Sequence, residues 1–203
     1  MLNLTPAEEK FFKKLNTPKK VQDFLDSIPF NFEKRGETLM SPRRVLKAGT
    51  AHCLEGAMFA AAALWYHGRA PLLMDFKTVS TDEDHVVTLF REKGFWGAVS
   101  KTNHGILRFR DPVYKSLREL AMSYFHEYYD FKTGKKTMIS YSKPVNLCCF
   151  DEGWITQEND WWELDKILEL YPHLLVASKG AMSHLRRVGE TEIKMGQVVE
   201  WRK

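Results

Sequence analysis

Cysteine is scarce in this chain: three residues in 203, two of them adjacent as Cys148-Cys149. That count excludes a disulfide framework, and the absence of any CxxC pair excludes the usual zinc ligand spacing. Long hydrophobic runs are missing too. The longest candidate, Ala57 to Tyr66, falls well short of a membrane-spanning helix, so no membrane role is expected. The opening residues, Met1-Leu2-Asn3-Leu4-Thr5-Pro6, lack a signal peptide's basic region and apolar segment, and a cytoplasmic location is therefore expected. There is no internal repeat and no low-complexity linker. The histidines show no ligand spacing, so neither metal nor cofactor is implied.

What is present is ordinary in bulk. With 44% apolar and 28% charged residues, the chain reads as globular rather than disordered. Its length suits one domain, residues 1–203, with a full hydrophobic core. The formal charge of +4 permits acidic partners without demanding them. Lys10, Lys13, Lys14, Lys19 and Lys20 are interleaved with Glu8, Glu9, Asp23 and Asp26. That mixture describes solvated helix faces and argues against a nucleic-acid surface, which gathers its cations on one side.

Helices come first along the chain. Thr5-Pro6-Ala7-Glu8 has the form of a capping box with proline at the first helical position. Thr17-Pro18 restarts a helix that runs to Pro29, and Ser41-Pro42 begins another that ends near Gly49. From Cys53 to His67 the residues are apolar on more than one side, as in a buried helix, and Gly68 stops it. Strands then follow at Pro71–Val79, His85–Phe90 and Phe95–Ser100, the last two joined across Arg91-Glu92-Lys93-Gly94. Arg110-Asp111-Pro112 reads as a proline turn before a helix from Ser116 to Tyr128. Thr137–Phe150 is a strand region broken at Pro144, and Asp160–Leu170 is a final helix. Trp161 and Trp162 cannot both point inward on it. The sum is an α+β fold: N-terminal helices and a central Cys-bearing helix packed on an antiparallel sheet.

Chemistry concentrates in Gly49-Thr50-Ala51-His52-Cys53-Leu54-Glu55-Gly56-Ala57 and Asp84-His85-Val86. A cysteine in the first turn of a helix meets unpaired N–H groups and the positive end of the dipole, which favour the thiolate. A histidine opening a strand is positioned to meet it across a helix–sheet seam and to move its proton. From the residues alone, a buried core residue is the slightly better reading of Cys53. Asp82, Glu83 and Asp84 either favour the imidazolium at His85 or form a solvated loop. His52 is a poor base candidate, because adjacent side chains at a helix start point apart.

The cysteine motif, with Ala61-Ala62-Ala63-Leu64-Trp65-Tyr66-His67-Gly68-Arg69-Ala70-Pro71 after it, resembles the core signature of the transglutaminase-like superfamily. Asp84-His85-Val86 resembles that superfamily's histidine strand, and Gly94-Phe95-Trp96 its next strand. The likeness covers residues 35–105, roughly a third of the chain. It implies a papain-like α+β fold and a Cys–His–Asp triad that cleaves amide bonds through an acyl-enzyme. Cys53 would be the nucleophile and His85 the base and acid.

The third member of that triad departs from the pattern. A four-residue loop closing Phe90 against Phe95 sets His85 opposite Ser100, with Trp96 and Ala98 on the same face. A three-residue loop with a bulge at Gly94 sets Lys101 there instead. Neither is a carboxylate, so Ser100 or Asn103 is the expected orienting group. Asp111 lies past the strand and caps its turn. Two functions compete. One is a cysteine-dependent protease, amidase or acyl transferase acting on a peptide or protein amide. The other is a degenerate relative that binds a peptide or protein partner without turnover. Without a calcium-binding motif, hydrolysis is favoured over protein cross-linking.

Overall fold

The computed structural model describes residues 2–202. Three helices near the N-terminus start by one device, a Ser or Thr cap followed by proline. These are α1 (Pro6–Phe12), α2 (Pro18–Ser27) and α3 (Pro42–Ala48), capped by Thr5, Thr17 and Ser41. The hydroxyl satisfies an orphan N–H, and proline fills a position whose N–H has no partner to lose. Gly49, at φ +63°, ends α3 in the left-handed region. The bidentate pair Arg43–Glu8, at 2.7 and 2.9 Å, ties α3 to α1.

The central helix α4 (Cys53–Tyr66) is buried without interruption from Leu54 to Leu64. Five of those residues are alanine, so neighbouring elements approach its axis closely.

Seven antiparallel strands form one sheet: β1 (Leu72–Thr78), β2 (His85–Glu92), β3 (Phe95–Val99), β4 (Arg110–Tyr114), β5 (Met138–Ser142), β6 (Val145–Asn146) and β7 (His173–Leu175). The order is β4-β3-β2-β1-β5-β7, with β6 also beside β1. One sheet face, carrying Leu73, Val86, Phe90 and Val99, packs in the same core as α4. The other carries Met74, Phe76, Val87, Leu89 and Ala98, covered by helix α5 (Leu117–Phe125). Burial on both faces explains why β2 is buried over six consecutive residues. Helices α6 (Trp162–Leu170), α7 (Lys179–Ser183) and α8 (Glu190–Gly196) complete the eight described. Trp161 packs inward in a stack with Trp154, while Trp162 stays exposed. No described helix is long and apolar enough to cross a membrane.

Two local expectations need correction. The β2–β3 turn is two residues long, Lys93-Gly94, with Glu92 opposite Phe95 and Thr88 opposite Val99. Both turn residues have positive φ, +48° and +88°, as a tight type I′-like hairpin turn requires. Neither the four-residue nor the three-residue loop forms, because the strands' right-handed twist is matched best by the shortest connection. Arg110-Asp111-Pro112 is strand, not turn, and Asp111 caps nothing there. As part of the edge strand β4, Pro112 costs the sheet no essential hydrogen bond.

Candidate active site

Cys53 occupies the first position of α4 and is half-buried. His52 caps that helix through its ring, Nδ1 accepting the Leu54 N–H at 3.3 Å. Its Nε2–H donates to the Thr38 carbonyl at 2.9 Å. The cap is reciprocal, since Glu55 accepts the His52 N–H at 3.0 Å. Glu55 is fully buried, and it also accepts from Asn31 Nδ2, Thr38 Oγ1 and the Met40 N–H at 2.8–3.1 Å. A buried carboxylate demands such a set of donors. Here it fixes the backbone leading into Cys53.

Two contacts fix α4, one to the strand that carries His85 and one to the segment after β3. The Thr88 hydroxyl donates to the Ala57 carbonyl at 2.5 Å. On the other side Lys101 crosses the first turn of α4 at Gly56, where a Cβ would stand 2.4 Å from the Lys101 Cβ. The Lys101 ammonium then donates to the Leu25 and Ile28 carbonyls at 2.7 and 2.6 Å, closing the C-terminus of α2. Burial pulls that ammonium down to about 8.

His85 is buried at the start of β2, and its Nε2 lies 2.8 Å from Ser100 Oγ. Ser100 lies just past the last paired residue of β3. In the observed register it neighbours His85 diagonally rather than directly, within reach of a side chain as long as imidazole. The serine hydroxyl donates its single proton to the Leu107 carbonyl at 2.5 Å. Toward His85 it therefore acts only as acceptor, so the network assigns the imidazole proton to Nε2. Nδ1 then keeps its lone pair.

Ser100 is itself held. Gln22 clamps its backbone from both ends, accepting the Ser100 N–H at 2.9 Å and donating to its carbonyl at 2.8 Å. Leu107 presents its carbonyl from a left-handed backbone, φ +61°, a conformation costly for a branched residue. Glu127 accepts the Leu107 N–H at 2.6 Å and is itself paired with Arg110 at 2.7 Å.

The two imidazoles set the state of the thiol. Burial pushes the Cys53 thiol up, but hydrogen bonding and charge from His52 and His85 pull it further down, to about 6. For His52, burial pulls downward, while Cys53, the Glu55 charge and the Thr38 carbonyl hold its proton to about 9. That proton and the resting cap compete. A proton at Nδ1 displaces the Leu54 N–H, whose 3.3 Å contact is the longer of the two His52 makes. The Cys53 thiol and the His52 imidazole thus titrate together.

Cys53, His52 and His85 line one cleft of about 810 Å³, together with Tyr128, Asp82 and Asn103. The structure brings Cys53, His85 and Ser100 together. Asn103 is turned elsewhere: its Nδ2 donates to the Trp201 carbonyl at 3.0 Å and its Oδ1 accepts the Trp201 N–H at 2.8 Å. Both ends of the amide are committed to the C-terminal segment, which removes Asn103 as the partner of His85. Lys101 is likewise committed to α2. Asp82 and Asp84 are turned to Thr137, Thr78 and Lys77. Among the described residues no group of three or more His, Cys, Asp or Glu side chains is arranged to hold a metal ion.

His52 escapes the sequence reading because a ring folded back over the helix start is not the divergent geometry assumed for neighbours. A signal was present: His52 followed by Glu55 has the spacing of a capping box. Tyr128 and Leu107 carry no such signal. No protein-family model matches the chain, and no curated protein matches it.

Proposed function

We propose that the chain is a cysteine-dependent amide-bond enzyme, a hydrolase or acyl transferase of the transglutaminase-like, papain-like type, working in the cytoplasm on a peptide or protein substrate. One observation carries this reading. Ser100 gives its proton to the Leu107 carbonyl and so leaves the free nitrogen of His85 for a thiol already drawn down to about 6.

The steps follow from those groups. Transfer of the Cys53 proton to His85 Nδ1 gives thiolate and imidazolium. The thiolate pair forms a bond to the substrate carbonyl carbon while the carbonyl π pair moves to oxygen, next to the positive end of α4. Collapse breaks the C–N bond, and the imidazolium proton leaves with the amine. Water or a second amine, deprotonated by His85, then attacks the thioester and frees Cys53. Ser100 accepts from Nε2–H throughout and holds the ring in register. A neutral hydroxyl stabilises the imidazolium less than a carboxylate does. That feature favours one second reading, a cleft that binds a peptide without turning it over.

An activated ester separates the two. With p-nitrophenyl acetate, the enzyme should release a burst of one equivalent of p-nitrophenolate per chain. A single acetyl group should map to Cys53 and be absent from Cys53→Ala. Acetylation spread over lysines, or equal at Cys148 and Cys149, would reject catalysis.

A further inference from the structure

Tyr128 lines the same cleft as Cys53. It follows α5, and its ring is fixed edge-on to Phe76 at 6.2 Å. It is 2% exposed, yet its hydroxyl finds no acceptor in the protein. Burying an O–H without a partner forfeits its solvation, and folded proteins keep few such groups. Candidate acceptors are close in charge terms: Cys53, Asp82 and Asp75 all act on the phenol electrostatically. None of them receives its proton. The site also has a defined shortage. His52 caps the Leu54 and Glu55 amides of α4, which leaves the Cys53 N–H to meet a substrate oxygen by itself.

We propose that the Tyr128 hydroxyl is the second donor of the oxyanion site, sharing with the Cys53 N–H the oxygen that gains charge when the thiolate adds to a carbonyl. The proposal rests on the acyl-transfer reading given above and deepens it. The unpaired O–H is a donor left for an acceptor that only the substrate brings. Burial, then the neighbouring charge of Cys53, raise the phenol well above its ordinary value. The group therefore stays a neutral donor over the working pH range. During addition it donates to the oxygen without transferring its proton. On collapse the electron pair returns to the carbonyl and the hydrogen bond weakens.

The test compares wild type with Tyr128→Phe, which keeps the ring and its contacts, in three measurements. Acylation by p-nitrophenyl acetate needs an oxyanion, and its rate should fall about 10²-fold. Alkylation of Cys53 by iodoacetamide passes through no oxyanion, so its rate and pH profile should be unchanged. The melting temperature should be equal or higher, since an unpartnered buried hydroxyl has been removed. Acylation within twofold of wild type overturns the proposal and leaves the acyl-transfer reading standing. An upward shift in the alkylation profile assigns Tyr128 to the thiol instead, and a lower melting temperature assigns the hydroxyl a structural partner; either overturns it. If wild type alkylates at Cys53 but never acylates, the enzymatic reading falls and the oxyanion role falls with it.

Discussion

Ser100 has one proton to give, and its acceptor decides which nitrogen of His85 carries the imidazole proton. Replacing Ser100 by Ala removes both the acceptor for Nε2–H and the link to Leu107. The ring is then free to turn over or to exchange tautomers. Loss of one such bond, about 1 kcal/mol, should slow acylation by roughly tenfold or somewhat less. Asn103→Ala should leave the rate intact, because its amide is spent on Trp201. Stopped-flow acylation of the two variants checks this; equal effects would contradict the assignment. Cys53 and His85 were legible in the sequence because each opens an element, where side chains reach past the packed core. Ser100 was legible only through an assumed register that the structure replaces. A two-residue error in loop length shifts the direct partner by two positions, but a diagonal neighbour remains in reach. Tyr128 was not legible, since nothing local marks a residue brought to a cleft by tertiary packing.

Among the elements, α4 decides the site's geometry. Its alanines and Gly56 let β2 and Lys101 approach the helix closely, so that Cys53 and His85 are fixed by backbone positions rather than by long side chains. Gly56→Ala sets a Cβ 2.4 Å from the Lys101 Cβ. The resulting displacement should cost about 1–3 kcal/mol of stability. It should also loosen the ammonium that closes α2. Urea denaturation measures the loss, and an unchanged midpoint would contradict the packing argument. The helix starts were readable from Ser/Thr-Pro pairs, a local chemistry that tertiary contacts rarely override. β4 was not, because its aspartate and proline carry turn signals, and only pairing with β3 makes it a strand.

Over the whole molecule, the α+β architecture followed from the sequence because helical and alternating periodicities occupy separate stretches. The C-terminal region did not. Its elements are short, and their roles are contacts made at a distance. Residues 196–201 return to the loop that follows β3, where His104, Gly105 and Arg108 contact Gly196, Val198 and Glu200. The chain thus closes a frame around Cys53, His85 and Ser100 from segments at both ends of the sequence. Within that frame the central claim is that two imidazoles hold Cys53 ready as thiolate. Alkylation by iodoacetamide, read at the Cys53 peptide so that exposed Cys148 and Cys149 do not contribute, tests it directly. Because only the thiolate reacts, the rate rises with pH through the thiol's pKa. For the wild type the midpoint should lie at about 6, and in His85→Ala it should move upward, toward the value near 8.5 of an ordinary cysteine. A wild-type midpoint near 8.5 that His85→Ala does not move would contradict the account.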